Sequence, residues 1–374
     1  MIHRKLGRIR IVHMKVYYDY QILRSQKLGG ISRYYYDLIK TINNEKLAKV
    51  ELGCLFSQNL YFEDYFNKRA TGDIPNIVAK VIQVLNRLQV FIKMLGGYDI
   101  VHPTYYNPYI LRMAKGKIVI TVYDMIHEIF PENIAKSKKT IRHKKEMLHK
   151  SNHIIAISQN TKKDILRFYP DIPEQKISVI YIGSSFKPHT EYKKGYHLPE
   201  KYILFVGSRG NYKNFSRFYE ASRRLLESDD KLYLVCIGGG TFSQSELDLI
   251  GNLKDRVMQK SADDEMLAYA YAHAQCFVFP SIYEGFGIPT LEAFACRCPV
   301  ALSDSSSMPE VGGDAVLYFD PLDIDQMSKQ IRRIVYDEAL RNQLIEKGTQ
   351  QLKNFEWKSI AQQVVNCYTD VINE

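Results

Sequence analysis

Cys276-Phe277-Val278-Phe279-Pro280-Ser281-Ile282-Tyr283-Glu284-Gly285-Phe286-Gly287-Ile288-Pro289-Thr290-Leu291-Glu292 is the stretch on which the reading of the whole chain turns. The unbroken apolar run Cys276–Phe279 has the length and bulk of a strand buried on both faces. Pro289 suits the first turn of a helix, where its missing N–H would be unbonded anyway. Between them Gly285 and Gly287 let the backbone approach a ligand, and the open N–H groups of a helix start favour a phosphate. Glu284 leaves the strand end and Glu292 lies about one helical turn into the helix, so both carboxylates are placed to accept hydrogen bonds from sugar hydroxyls. Taken alone, the same loop also reads as a tight turn between two solvated glutamates.

Outward from that stretch the strand, loop, helix sequence repeats. Tyr202–Val206 reads as a strand, Gly207-Ser208-Arg209-Gly210-Asn211-Tyr212-Lys213 as its loop, and Asn214 as the N-cap of a helix carrying Phe215, Phe218, Tyr219 and Leu225. Arg209 and Lys213 are two cations suited to a diphosphate, arginine by paired bonds and lysine as a point charge. Lys231–Ile237, Pro299–Leu302 and Ala315–Phe319 read as further strands, and Asp263–His273 as an amphipathic helix. Towards the N-terminus, strands are expected from Met14 to Tyr18, Val50 to Phe56, Asp99 to His102, Ile118 to Val122, His153 to Ile157 and Ile177 to Tyr181. Helices are expected over Ile82–Leu95, over Thr161–Phe168, and after Gly29-Gly30, another glycine loop entering a helix, here with Ile31, Tyr34, Tyr35, Leu38 and Ile39 at helical spacing.

This alternation is the pattern of parallel sheets wrapped by helices, in two α/β units of the doubly wound, Rossmann-like kind with ligands at the carboxyl ends of their strands. The expected organisation is an extension over 1–13, with Met14 a candidate native start; a first domain over 14–186; a second over 187–355; and a helix over 356–374. In that helix Ile360, Val364, Val365, Tyr368 and Val371 form a stripe able to return to the first domain. The polar stretch from Gly183 to Pro199 reads as the linker.

At 374 residues, 45% hydrophobic and 25% charged, the chain has the composition of a soluble globular protein. No run reaches the ~18 to 20 apolar residues of a membrane span, and the basic N-terminus has no apolar segment of a secretory signal behind it, which points to the cytoplasm. Six cysteines without a Cys-x-x-Cys pair argue against disulfides and structural zinc, with Cys236 and Cys276 placed in strands. The charge is divided: residues 1–190 hold 31 Lys+Arg against 15 Asp+Glu, and residues 191–374 hold 20 against 26. The basic half points to an anionic partner, whether a phosphorylated substrate, a membrane surface or nucleic acid. Its densest cluster, Lys136–Lys150, reads either as a solvated helix face or as a surface for an anionic acceptor or membrane.

In order along the chain, Gly29-Gly30-Ile31-Ser32-Arg33-Tyr34, Ala156-Ile157-Ser158-Gln159-Asn160-Thr161-Lys162, Phe205-Val206-Gly207-Ser208-Arg209 with Lys213-Asn214, the Glu284 and Glu292 pair around Gly285-Phe286-Gly287, Pro299-Val300-Ala301 and Pro309-Glu310-Val311-Gly312-Gly313 together resemble one family. It is the retaining GT-B glycosyltransferases of family four, which includes bacterial mannosyl-, glucosyl- and rhamnosyltransferases of surface-polysaccharide assembly, and the resemblance covers about residues 14–372.

The resemblance implies a GT-B fold and transfer of a sugar from a nucleotide-diphosphate donor, such as GDP-mannose, to a glycan or lipid-linked acceptor, without a metal ion or cofactor. It implies that Arg209 and Lys213, with Gly207 and Ser208, hold the diphosphate, and that Glu292 binds the ribose hydroxyls. Glu284 and the backbone of Gly285, Phe286, Gly287 and Ile288 would hold the transferred sugar, Gly29 and Gly30 would approach the phosphates from the opposite domain, and the base would lie near Met258–Ser261. Many relatives have histidine where Tyr123 stands, so Tyr123, Asp124 or His127 is expected in its place at the sugar, His127 being equally readable as an ordinary helix or loop residue. Tyr105, Tyr106 and Tyr109 are candidates to stack on an acceptor sugar. The setting implied is the cytoplasm, peripheral to the inner face of the cell membrane through the basic half. Two other readings stand beside it: a nucleotide-sugar epimerase on the same fold, and a basic nucleic-acid-binding protein, the latter without a recognised module or aromatic interleaving.

Overall fold

In a computed structural model of the chain, described over residues 14–66, 76–132, 134, 137–186 and 196–374, the apolar runs are strands and the segments of helical spacing are helices. The expected N-terminal extension, residues 187–195 of the linker, and Lys136 of the basic run lie outside the described residues.

The strands are β1 (Lys15–Asp19), β2 (Lys49–Gly53), β3 (Ile100–His102), β4 (Lys117–Val122), β5 (His153–Ala156), β6 (Ile177–Val179), β7 (Tyr202–Val206), β8 (Tyr233–Ile237), β9 (Val257–Lys260), β10 (Cys276–Phe279), β11 (Val300–Ser303) and β12 (Leu317–Phe319). They form two six-stranded parallel sheets, ordered β2-β1-β3-β4-β5-β6 and β12-β11-β10-β7-β8-β9. Parallel neighbours require crossover connections, whose helices cover both sheet faces. That is why β10 reads as four consecutive buried residues instead of an alternation. Cys236 and Cys276 are buried in β8 and β10, and all six cysteines are free thiols.

The order of the second sheet fixes where a ligand can sit. The chain enters at β7 in the middle, runs outward through β8 to β9, then returns to the other side of β7 as β10. Connections from β7 and β10 therefore leave in opposite directions, opening a crevice beyond their carboxyl ends. The loops there are 207–214 and 280–287. The face of β7 is closed by the helix Phe215–Ser228, whose Phe215 and Phe218 rings lie 5.4 and 5.5 Å from that of Phe205. Asn214 precedes that helix without capping it: its backbone is left-handed, φ 60°, and its amide donates to the carbonyls of Pro280 and Pro321, at 3.1 and 2.6 Å. Asparagine tolerates that conformation better than most residues, so the residue expected as a cap serves as a cross-brace.

By contacts the described residues divide into two compact units that are not continuous in sequence, one from within 14–121, 142–155 and 361–374, the other from within 122–141 and 156–360. The boundary expected near residue 186 falls inside the second unit.

In the first unit, the hydroxyl of Tyr368 from the C-terminal helix lies 2.7 Å from that of Tyr18 and 2.6 Å from His102 Nδ1, and His102 Nε2 lies 2.9 Å from Thr121 Oγ1. Burial pushes the His102 imidazole down to about 3. At the end of β1 the buried Asp19 carboxylate accepts from Thr104 N, Gln21 Nε2 and Tyr109 Oη at 2.9, 2.7 and 2.8 Å, which ties the β1 and β3 loops together. Burial raises its pKa and these bonds offset only part of that.

Two of the three tyrosines expected to stack on an acceptor, Tyr106 and Tyr109, are buried by this arrangement. The basic run forms the helix Ser137–Lys150, in which Lys144 is fully buried with its ammonium 5.3 Å from the Tyr106 ring centroid. One cation of the expected solvated face is therefore a packing residue.

Candidate functional site

The second unit brings the loops after β7 and β10 into direct contact. Ile282 N donates to Tyr212 O at 2.8 Å, and Lys213 Nζ lies 2.5 Å from Glu284 Oε1. Both side chains keep a little solvent exposure, 17 and 16%. The pair leaves an ammonium and a carboxylate facing one another at the crevice of the sheet, where sequence alone placed them in separate loops. Ser208 and Gly210 on the same loop are exposed, and Gly207, with φ 122°, donates its N–H to Ile237 O at 2.8 Å.

Arg209 takes a different course from the one expected. Its side chain is 3% exposed and turned away from solvent, with Nε donating to Glu246 Oε1 at 2.6 Å. Nη1 donates to Gly238 O at 2.9 Å, and Nη2 lies 2.9, 3.1 and 3.3 Å from the carbonyls of Gly240, Thr241 and Gly239. The guanidinium also sits 4.7 Å from the Phe242 ring centroid. Three consecutive glycines with φ of 88, 71 and 71° allow that turn to aim its carbonyls at one cation. Burial alone would raise the Glu246 pKa, but the bonds from Arg209 and Ser243 outweigh it and hold the carboxyl below its ordinary value. In this structure Arg209 organises the loop after β8, and Lys213 is the cation presented beside Glu284.

The loop 282–287 is fastened by three consecutive serines after β11. Ser305 Oγ donates to Ile282 O at 2.5 Å, Ser306 Oγ accepts from Glu284 N at 3.0 Å, and Ser307 Oγ lies 2.9 and 3.1 Å from the carbonyls of Glu284 and Phe286. On its other side Gly285 packs on residues 123–124: a Cβ added there would fall 1.7 Å from Tyr123 O and 2.9 Å from Asp124 Cβ. Its carbonyl accepts from Ser158 Oγ at 2.8 Å. The close approach that requires glycine at 285 is thus to the chain itself, whereas the expectation was approach to a ligand. Phe286 is buried between Tyr181 and Phe355, each ring 5.8 Å away. Gly287, at φ 107°, and Ile288 begin the helix Ile288–Ala295, which carries Glu292. Tyr271, wholly buried, donates to Glu292 Oε2 at 3.2 Å and so positions that carboxylate.

Asp124 and His127 lie in this unit. Asp124 Oδ1 accepts from Ile126 N at 3.0 Å, at the start of the short helix Ile126–Ile129 that contains His127. Tyr123 is 5% exposed. Tyr283 joins the segments: its hydroxyl donates to Asp164 Oδ2 at 2.9 Å and accepts from Met125 N at 3.1 Å. Glu310 accepts from Gln159 N and Asn160 N at 2.7 and 2.9 Å, closing the N-terminus of the helix Gln159–Phe168. Met258 lines a cavity with Tyr233, Lys201 and Gln275 at the amino ends of the strands, while Lys260 at the carboxyl end of β9 accepts from Gly238 N at 3.1 Å. The expected base region therefore straddles both ends of β9.

Gly29 and Gly30 belong to the first unit. Gly29, with φ 174°, is extended and precedes the helix Gly30–Asn44, where Gln26 Oε1 accepts from Ser32 N at 3.0 Å. A side-chain amide thus occupies one N–H of that helix start. Tyr283 and Ser158 stood inside motifs legible in the sequence, which did not show what they bond; Ser305–Ser307, Tyr271 and Gln26 were not singled out, and of these the serine run after a buried strand carried a visible signal.

Two family models match the chain in order: Glycosyltransferase Family 4 over residues 28–184 and Glycosyl transferases group 1 over residues 188–351. The O-antigen chain mannosyltransferase B of Escherichia coli is 30% identical over 285 residues, covering 71% of this chain and 72% of that protein. The O-antigen chain mannosyltransferase RfbU of Salmonella typhimurium is 28% identical, covering 72 and 78%. Among solved structures, sucrose-phosphate synthase from Thermosynechococcus elongatus superposes with a TM-score of 0.73 at 20% identity, covering 96% of this chain and 99% of that one. Anabaena HepE, in complex with UDP and glucose, superposes at 0.72 and 16%, covering 96 and 100%. These likenesses extend over both sheets and fit the crevice geometry, and by them the chain belongs to the family-four glycosyltransferases of the GT-B fold.

Proposed function

We propose that the protein transfers a hexose, with mannose from GDP-mannose the first candidate, to a glycan or lipid-linked acceptor of surface-polysaccharide assembly at the inner face of the cell membrane. The observation that carries the reading is the Lys213–Glu284 pair at the crevice of the second sheet, 2.5 Å apart and partly open to solvent. The mannosyltransferase relatives support the choice of sugar. Neither the epimerase nor the nucleic-acid reading gains support from any relative described above.

In this reading an acceptor hydroxyl forms a bond to the anomeric carbon as the bond from that carbon to the leaving phosphate oxygen breaks. The nucleoside diphosphate departs on the same face, and the hydroxyl proton passes to a phosphate oxygen, so configuration is retained. Lys213 stabilises the negative charge that grows on the diphosphate, and Glu284, released from its partner, accepts from sugar hydroxyls. Glu292, oriented by Tyr271, takes the ribose hydroxyls. Arg209 acts at one remove, by shaping the Gly238–Gly240 turn, and either Asp124 or His127 is the residue placed to meet the sugar from the segment packed on Gly285. No metal ion or cofactor takes part.

A thermal-shift and hydrolysis screen with GDP-, UDP-, dTDP- and ADP-hexoses, repeated in chelator, tests this. We expect selective stabilisation by one nucleotide, activity unaffected by chelator, and a product with the anomeric configuration of the donor by NMR. A chain that neither binds nor consumes any nucleotide sugar overturns the reading, and interconversion of a donor without acceptor would favour the epimerase.

A further inference from the structure

The helix Asn76–Met94 of the first unit presents an apolar face to solvent that the fold does not use. Its inward face is Asn86, Val90 and Met94, all buried. Outward lie Val78, Val81, Val84, Leu85, Leu88, Phe91 and Ile92, followed by Leu95, all exposed, from 39% at Leu85 to 65% at Val84. Their spacing keeps them on one side of the helix, along roughly 25 Å at 1.5 Å per residue. Asn86 extends the patch: its Oδ1 accepts from Leu55 N and Phe56 N at 2.8 and 3.2 Å, and its Nδ2 donates to Phe56 O at 2.9 Å. That holds Leu55 and Phe56, both exposed, against the middle of the helix. A stripe of this size is more than the scattered apolar residues of an ordinary surface and marks a docking face.

The charge on the helix selects the occupant. From Asn76 to Met94 there is no Asp or Glu, while Lys80, Arg87 and Lys93 are cationic. Lys80 and Arg87 are exposed, with the Arg87 guanidinium 4.9 Å from the Tyr109 ring centroid, and Lys93 is paired to Glu51 at 2.6 Å. An apolar face bordered by cations and free of carboxylates matches the boundary between headgroups and acyl chains of an anionic bilayer, where the helix lies flat. No helix among the described residues is long and apolar enough to cross a membrane, so the expected mode is adsorption.

We propose that this helix, with Leu55 and Phe56, is the surface by which the protein seats on an anionic lipid bilayer; the proposal rests on the lipid-linked-acceptor reading and assigns it a place on the molecule. The exposed aliphatic residues enter the acyl boundary, and Lys80 and Arg87 meet lipid phosphates.

The test is flotation of the full chain with vesicles of equal parts phosphatidylethanolamine and phosphatidylglycerol, and with phosphatidylcholine vesicles. Alongside it run the triple variant Val84→Ser, Leu88→Ser, Phe91→Ser and the double variant Lys80→Gln, Arg87→Gln. We expect the wild type to float with anionic vesicles, the triple variant to lose about tenfold or more in vesicle affinity, and the double variant to lose the preference for anionic lipid. Both should keep the wild-type melting temperature and hydrolyse nucleotide sugar in solution at the wild-type rate. Wild type that stays with the unbound fraction, or a triple variant that floats unchanged, overturns the proposal. So does a wild-type dimer in solution that the triple variant converts to monomer, which would assign the stripe to a second copy of the chain. Loss of vesicle binding with hydrolysis intact, and the reverse, separate failure of this surface from failure of the glycosyltransferase reading.

Discussion

Lys213 and Arg209 differ by four positions and by everything around them. Lys213 reaches a carboxylate at the crevice, whereas Arg209 has its donors bound by one carboxylate and a turn of carbonyls. In the proposed reaction, removing Lys213 takes away the positive charge that would face the leaving group. Lys213→Ala is expected to lower kcat by roughly 10²-fold or more, with KM for the donor changing less. Lys213→Arg should recover part of the loss. Single-turnover transfer measures it, and an unchanged rate would remove Lys213 from the chemistry. Arg209→Ala should instead lower the melting temperature, because it takes from Glu246 its cationic partner, leaving only Ser243, and leaves the carbonyls of the Gly238–Gly240 turn without their donor.

At the scale of elements, the glycine loop is held by two neighbours. The serines after β11 supply hydroxyls to its backbone, and Gly285 admits the backbone of Tyr123 against it. A Cβ at 285 would displace that contact, since a backbone carbonyl cannot rotate aside as a side-chain tip can. Gly285→Ala is expected to destabilise the fold by about 1–3 kcal/mol and to shift Glu284 with its loop. Chemical denaturation reads the first effect and donor affinity the second; wild-type stability would show that residues 123–124 can move away at no cost.

At the scale of the whole molecule, the C-terminal helix is tied into the first unit by one hydroxyl shared between Tyr18 and His102. Tyr368→Phe leaves two buried polar groups without that partner and should cost about 1–3 kcal/mol, seen as a lower melting temperature. His102 adds a pH dependence. Its folded pKa of about 3 lies below the unfolded value near 6.5, so the native state favours the neutral ring. That contribution is fully present above about pH 6.5 and is lost progressively as the pH falls towards 3. The groups facing it, Tyr18, Tyr35, Tyr368 and Thr121, carry no charge in that window. Stability measured between pH 7 and 4 should therefore fall less steeply in His102→Gln than in the wild type.

Much of the architecture was legible in the chain, because a parallel sheet covered on both faces needs continuous apolar runs, and such runs survive as a pattern without coordinates. β10, β7 and the helices Phe215–Ser228 and Gln159–Phe168 fall where their residues place them. The motif order was likewise legible, which is why the family and the crevice loops could be read from residues alone. Tertiary structure decided what those loops touch. A guanidinium and an ammonium in one glycine loop look alike in sequence, and which of them meets Glu284 depends on the three left-handed glycines after β8. A glycine needed for close approach does not say whether the approaching group is a ligand or Tyr123. Periodicity indicated a helix over Ile82–Leu95, where the structure has Asn76–Met94, but did not say which of its faces the fold buries, since two apolar faces at the same spacing become distinguishable only once one of them has found its partner in the core.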